Sequence, residues 1–159
     1  YFLLCLECAM IIDLKQLYNV VGEKLALDFT VDKEMLDSVK GYSFSRPITV
    51  KGAAVNRAGI VMLDYKAEFT LRVCCDRCLI EFERDCSFEF SHILVRSLNS
   101  SGSEYDDYIV TESDKLDMDE LALTDCLLQL PSKMLCKEDC KGLCPVCGTD
   151  LNENKCDCC

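Results

Sequence analysis

The chain has 159 residues, a length that suits one domain with or without a small appendage. Half of the residues are apolar and 28% are charged, so the chain can bury a core and is not intrinsically disordered. Its net charge is -11, and it lacks the clustered Lys and Arg that broad binding to a phosphate backbone needs. Its 14 cysteines are the main departure from an ordinary composition.

The start of the sequence bears on the cellular compartment, which decides whether these cysteines form disulfides or bind metal. Residues 1–9 contain no Lys or Arg, which a secretory signal would need, and the apolar run over 1–12 is interrupted by Glu7. That run is also too short to span a bilayer. We therefore expect a cytoplasmic protein without membrane contact, in which closely spaced cysteines hold metal. We also expect residues 1–9, including Cys5 and Cys8, to be an upstream extension without a metal site.

The middle of the chain has the pattern of antiparallel strands. A short helix or turn is predicted over 12–19 and a strand over 25–31. A second strand begins at Pro47 and runs to a turn at 56–59. The next strand is predicted over 60–73, where apolar residues occupy the odd positions from Tyr65 to Val73 and polar ones occupy the even positions from Lys66 to Arg72, which indicates one buried and one wet face.

A third long strand is predicted after Cys78, because Phe82, Phe88 and Phe90 share one phase of its alternation. Three consecutive strands with short links predict an antiparallel meander. A further short strand is predicted over 107–110. The fold class is therefore α+β, dominated by an antiparallel β-sheet.

An acidic stretch and a helix follow the strands. Residues 97–126 hold nine acidic side chains and one basic one, which suits contact with a basic protein or simply a solvated surface. Asp117 and Glu120 have the spacing of a helix start, and the apolar residues Leu121, Leu127, Leu128 and Leu130 then predict a core-facing helix near 118–130. Pro131 ends the helix. The predicted division is a β-rich domain over 10–131 and a cysteine-rich appendage over 132–159.

The appendage has few core-forming residues and seven cysteines, so metal is the expected source of its stability. Cys144 and Cys147, followed by Gly148, have the spacing of a zinc knuckle, a tight turn that aims two sulfurs at one ion. Cys156 and Cys158 can complete a tetrahedral site, and the terminal Cys159 could replace Cys158. Zinc is favoured because all ligands are thiolates and no coordination position is left open, although a disulfide-linked or iron–sulfur tail is also possible.

A second four-cysteine site is predicted from two half-sites. Cys75 and Cys78 have knuckle spacing between two strands, whereas Cys136 and Cys140 need partners. Pairing these halves would attach the tail to the sheet, but eight cysteines divide into two sets of four in about 35 ways, so counting does not prove the pairing. The alternative is that Cys75 and Cys78 are a free dithiol or simply packed side chains. The remaining Cys74, Cys86 and Cys126 are expected to be small core residues.

Catalysis has little support in the sequence. His92 is the single histidine and lies in a predicted strand, where a structural role is expected. The phosphate-binding glycine motifs are absent, and two sites filled by four thiolates each would leave no open metal position. The chain is therefore predicted not to be an enzyme and to have no small-molecule substrate.

Three features together resemble the YceD family of large ribosomal RNA subunit accumulation proteins, found in bacteria and plastids. They are Cys-x-Arg-Cys-Leu over 75–79, an acidic stretch before a helix that ends in Leu130-Pro131, and Cys-Lys-Glu-Asp-Cys-Lys-Gly-Leu-Cys-Pro-Val-Cys-Gly-Thr-Asp-Leu-Asn over 136–152. The resemblance implies a non-catalytic factor needed for accumulation or processing of 23S ribosomal RNA, and so for assembly of the large subunit.

These observations lead to one expected function and two alternatives. The expected function is contact with a basic ribosomal protein or a precursor large subunit, with two zinc ions held by the eight paired cysteines. The candidate partner-binding residues are Arg77, Asp106, Asp107, Asp117, Asp119 and Glu120. The first alternative is a zinc ribbon that binds RNA through Arg46, Lys51, Arg57, Arg72, Arg77 and Arg84. The second is redox signalling through Cys75 and Cys78.

Overall fold

The computed structural model describes residues 9–97, 108–111 and 113–158. Its elements follow in chain order: β1 Ile11–Asp13, α1 Lys15–Asn19, β2 Lys24–Thr30, α2 Lys33–Asp37, β3 Ser43–Arg57, β4 Ile60–Cys74, β5 Glu81–Val95, β6 Tyr108–Val110, β7 Lys115–Asp117 and α3 Met118–Gln129. No helix within these described ranges has the length and apolar character needed to cross a membrane.

The main sheet has five strands in the order β2-β3-β4-β5-β6. Each neighbouring pair among the first four is antiparallel, and β3, β4 and β5, each of 15 residues, form the predicted meander. The short strand β6 is instead parallel to β5, with Leu94 opposite Ile109. A second sheet pairs β1 with β7, which the sequence did not predict.

The alternation predicted along β4 sets the core. Its odd-numbered residues Tyr65, Ala67, Phe69, Leu71 and Val73 are all buried. Thr70 departs from the even-numbered wet phase, since it is 8% exposed and its hydroxyl donates to Asp85 Oδ1 at 2.6 Å. The core therefore lies on one face of the meander.

Helix α3 covers part of that face and begins where predicted. The Asp117 carboxylate accepts hydrogen bonds from the backbone N–H groups of Asp119 and Glu120, at 3.0 and 3.1 Å. Two side chains of the sheet hold the helix further along, because the Tyr65 hydroxyl donates to the Asp125 carboxylate and His92 Nε2 lies 2.6 Å from Asp125 Oδ2. His92 therefore takes part in a contact that joins the sheet to the helix.

Some sequence-based expectations for individual side chains were wrong. Cys86 and Cys126 are buried as expected, but Cys74 is exposed, because the even phase of β4 points it away from the core. Leu128 was expected on the core face of α3 and is 79% exposed. Asp119 was expected to contact a partner, but it is 1% exposed and its Oδ2 accepts from the backbone N–H of Met10 at 2.8 Å.

Candidate metal centre

The turn between β4 and β5 presents the first pair of cysteines. Two backbone hydrogen bonds close this turn, from Leu79 N to Cys75 O at 2.9 Å and from Cys75 N to Ile80 O at 2.8 Å. Cys75 is fully buried and Cys78 is 7% exposed. We call residues 75–79 knuckle A.

The segment after α3 is fastened to knuckle A by a set of specific hydrogen bonds. The Asp76 carboxylate accepts from Met134 N at 2.6 Å, and Asp76 N donates to Met134 O at 2.8 Å. The Arg77 guanidinium donates to Cys140 O at 2.8 Å, while Arg77 O accepts from Leu143 N at 3.1 Å. These contacts bring the tail cysteines beside Cys75 and Cys78.

Four sulfurs therefore meet in site A, formed by Cys75, Cys78, Cys136 and Cys140, with all ligand atoms within 4.8 Å of one another. The Cys75 and Cys140 sulfurs are 3.7 Å apart, and those of Cys78 and Cys136 are 3.6 Å apart. A tetrahedral zinc ion with Zn–S bonds near 2.3 Å separates its sulfurs by about 3.8 Å. The spacing fits such an ion and is well beyond the ~2 Å of a disulfide.

Site B is formed by Cys144, Cys147, Cys156 and Cys158 within the tail. Its first two ligands lie in knuckle B, residues 144–148, where Gly148 N donates to Cys144 O at 2.9 Å. The Cys156 sulfur lies 3.2 Å from that of Cys147 and 3.4 Å from that of Cys144. The structure thus groups the eight cysteines into the two sets that the sequence pairing favoured.

The two sites differ in their exposure to solvent. Three of the four ligands of site A are buried, and apolar side chains of Phe82, Leu135 and Leu143 pack around it. In site B, by contrast, Cys147 and Cys158 are exposed and only Cys144 is buried. Site A is therefore part of a small core, whereas site B lies at the surface.

The thiols within each site have divergent acidities. Burial raises the pKa of Cys75, but backbone N–H groups of Cys136, Cys78 and Arg77 outweigh it and lower that pKa to about 6. Burial, reinforced by the neighbouring thiols, raises the pKa of Cys136 to about 12. One thiolate therefore forms readily in site A and opposes formation of the others, which is the situation that a bound divalent cation relieves.

Site B shows the same division. Hydrogen bonds with the Thr149 side chain and backbone, together with the Cys156 and Cys144 side chains, lower the pKa of Cys147 to about 6. For Cys156, the backbone N–H of Cys158 acts to lower the pKa, but the three neighbouring thiols together raise it to about 12. Both cysteine sets thus have the donors and the electrostatics to hold a metal ion.

Asn152 connects the two sites and was missed by the sequence reasoning. Its Nδ2 donates to Cys140 Sγ at 3.5 Å and to Asp150 Oδ1 at 2.8 Å, and its Oδ1 accepts from Lys141 N at 2.9 Å. It lies in the loop between Cys147 and Cys156 of site B, yet it contacts a ligand of site A. The cysteine spacing gave no signal for this contact, which depends on how the tail folds back.

The remaining candidate residues fall in different places. Arg77 supports site A, and Asp117 caps α3, while the side chain of Glu120 is exposed. Asp106 and Asp107 lie outside the described residues, as do Cys5, Cys8 and Cys159. Of the three acidic candidates that the structure describes, Asp117 and Asp119 accept hydrogen bonds within the protein. Glu120 is the one on an exposed position.

The fold and the site together define a class of protein, a small antiparallel β-sheet domain with a tail fastened by four-cysteine sites. The family model for the large ribosomal RNA subunit accumulation protein YceD matches residues 63–159, which is more than half of the chain and includes both sites. The chain therefore belongs to the YceD family. No curated protein and no solved structure gave a significant match.

Proposed function

We propose that the protein is a non-catalytic factor for 23S ribosomal RNA accumulation or processing, and that it acts in the cytoplasm during assembly of the large subunit. The observation that carries this proposal is the family match over 63–159. The family description names accumulation of an RNA and no chemical reaction. The two sites support a non-catalytic role, because four thiolates around one ion leave no open position for substrate.

Both sites are proposed to hold zinc. The all-sulfur donor set and the 3.6–3.7 Å sulfur separations of site A fit a tetrahedral zinc ion. Within the tail after Pro131, the structure describes one isolated bridge, between Leu143 and Asp150, and no helix or strand. Metal binding would therefore supply most of the folding energy of this segment.

A basic ribosomal protein or a precursor particle carrying one is the proposed partner. Ribosomal RNA is disfavoured because the net charge of the chain is -11. Most side chains of the candidate basic set also have partners within the protein. Arg46 lies 3.9 Å from Asp85, Lys51 4.0 Å from Asp28, Arg72 3.3 Å from Glu83, and Arg77 2.8 Å from Cys140 O.

The metal part of the proposal is tested by elemental analysis of protein purified without chelator. Two zinc ions per chain are expected. One ion or none would contradict the two-site assignment, and another metal would contradict zinc. Reversible oxidation of Cys75 and Cys78 without any metal loss would instead support the redox alternative.

The partner is tested by binding assays at native salt with tagged full-length protein. Purified large-subunit proteins and precursor large subunits are expected to bind, and naked 23S ribosomal RNA is not. Neutralising Asp106 and Asp107 to Asn should weaken binding several-fold, whereas the same charge change at Asp28 and Asp37 should have little effect. Tight binding to naked RNA with no binding to ribosomal proteins or particles would contradict the proposal.

A further inference from the structure

Leu79, the last residue of knuckle A, has a backbone conformation that is unfavourable for its side chain. Its φ is +60°, in the left-handed region that residues other than Gly rarely adopt. In the described parts of the chain, the other non-glycine residues with positive φ are Ala58 and Asp114, and Leu79 is the bulkiest of the three. Knuckle B provides an internal comparison, because the equivalent position there is Gly148 with φ +73°.

The two knuckles form the same turn, so the turn itself does not explain the leucine. In each, the residue after the second cysteine donates its N–H to the carbonyl of the first cysteine at 2.9 Å. Glycine satisfies this geometry without strain, whereas a leucine opposes it by roughly 1–2 kcal/mol. Knuckle A thus retains a residue that costs stability relative to the glycine used in knuckle B.

The Leu79 side chain gains little from packing within the chain. It is 65% exposed, and the neighbouring Ile80 is 50% exposed. The partly buried apolar side chains that pack against site A are those of Phe82, Leu135 and Leu143. Strain retained at an exposed position indicates a role outside the molecule.

We propose that Leu79, together with Ile80, is the apolar contact through which this protein binds a basic ribosomal protein, inserting into an apolar depression bordered by Lys and Arg. The inference rests on the proposed function and assigns a specific surface to it. The hydrogen bonds that Asp76 and Arg77 make with the tail hold knuckle A, and so Leu79, in place.

Charge selects a basic protein among the possible partners. Residues 76–85 carry four acidic and two basic side chains, but Asp85 and Glu83 pair with Arg46 and Arg72, so it is the net charge of -11 of the whole chain that favours a basic partner. A divalent ion among four thiolates would add a net charge of about -2 directly behind the knuckle. The negative charge of the protein repels nucleic acid. It also disfavours a second copy of the chain as the partner, because that copy would carry the same net charge of -11.

The sharpest test is Leu79→Gly, which gives knuckle A the residue of knuckle B. This variant should keep two zinc ions per chain and a melting temperature no lower than that of the original protein. Its affinity for purified large-subunit ribosomal proteins should fall roughly 10- to 100-fold, the factor expected for losing one buried leucine. Leu79→Met retains an apolar side chain at the same φ and should bind nearly as well as the original protein.

Leu128→Ala is the matched control for loss of an exposed leucine, since Leu128 is 79% exposed on α3, and it should leave binding unchanged. Equal binding by the original protein and Leu79→Gly would overturn the inference and leave the proposed function standing. If the original protein binds no basic large-subunit protein, the proposed partner is wrong and the inference falls with it. If Leu79→Gly instead weakens binding to naked 23S RNA or self-association measured by sedimentation, the assigned partner class is wrong.

Discussion

Gly142 and Gly148 form a natural pair for measuring how firmly the tail is held against the sheet. Both have positive φ, +74° and +73°. A methyl group at Gly148 would meet no atom within 4 Å, whereas one at Gly142 would lie 2.9 Å from Arg77 O. That oxygen also accepts the hydrogen bond from Leu143 N, which joins the tail to knuckle A. Alanine at the two positions therefore imposes the same backbone strain but different contacts.

The magnitudes follow from these differences. Gly148→Ala should cost roughly 1–2 kcal/mol from backbone strain alone, acting at site B. Gly142→Ala should make the free energy of metal binding at site A less favourable by that amount plus about 1 kcal/mol for the displaced Arg77 carbonyl and its hydrogen bond. The total loss is then roughly 2–3 kcal/mol. Since about 1.4 kcal/mol is tenfold in an equilibrium constant, zinc affinity should fall roughly 30- to 150-fold at site A in Gly142→Ala. It should fall roughly 5- to 30-fold at site B in Gly148→Ala.

Competition with a chromogenic zinc chelator measures both affinities, with cysteine-specific labelling and mass spectrometry to show which site has lost its ion. The expected pattern is that each variant affects mainly its own site and that Gly142→Ala has the larger effect. The reasoning would be refuted if Gly142→Ala weakened site A no more than Gly148→Ala weakens site B. It would also be refuted if both variants kept the affinities of the original protein.

Three further substitutions test separate parts of the structure. Asn152→Ala removes the N–H donor to Cys140 Sγ and should lower zinc affinity at site A about tenfold or more, with a smaller effect at site B, in the same chelator assay. Asp117→Ala removes the cap of α3 and should lower the free energy of unfolding by about 1 kcal/mol, measured by denaturant titration; an unchanged midpoint would contradict the capping role. Burial raises the pKa of Asp119, so its folded form binds a proton at a higher pH than its unfolded form, and lowering the pH from 7 to 4 should stabilise the original protein relative to Asp119→Asn. Parallel pH dependences of the two unfolding free energies would show that Asp119 does not titrate in this way.

The regular strands were predictable because their signal is local. Alternation along 65–73 identified β4, and the short links between strands identified the meander. A short strand at β6 was predicted, but its parallel direction was not, since three residues carry no information about how they pair with a distant strand. The exposure of Cys74 follows from the alternation, because Cys74 continues the exposed even positions of Lys66, Glu68 and Arg72. The expectation of a core cysteine rested on residue type alone, which is the weaker guide.

The candidate site was predictable to a different depth. Cysteine spacing gave the half-sites, and the preference for keeping near neighbours together gave the groups that the structure assembles. Charge counting misjudged Asp119, because an acidic residue in the first turn of a helix can serve a buried backbone N–H, here that of Met10. The role of Asn152 could not be predicted from the sequence, since its contact with Cys140 exists only after the loop of site B has folded.

The position of Cys75 and Cys78 in the turn between two adjacent long strands has a consequence for the order of folding. Contacts between neighbouring strands close short loops, so the meander can form early and without metal, and it then presents two sulfurs as a preformed half-site. Capture of the tail is a slower search, because Cys78 and Cys136 are 58 residues apart in the chain. If knuckle A binds the metal ion first, the tail cysteines need only replace the other ligands of that ion. The rate at which the tail docks should then depend on the concentration of free metal, whereas the rate of sheet formation should not.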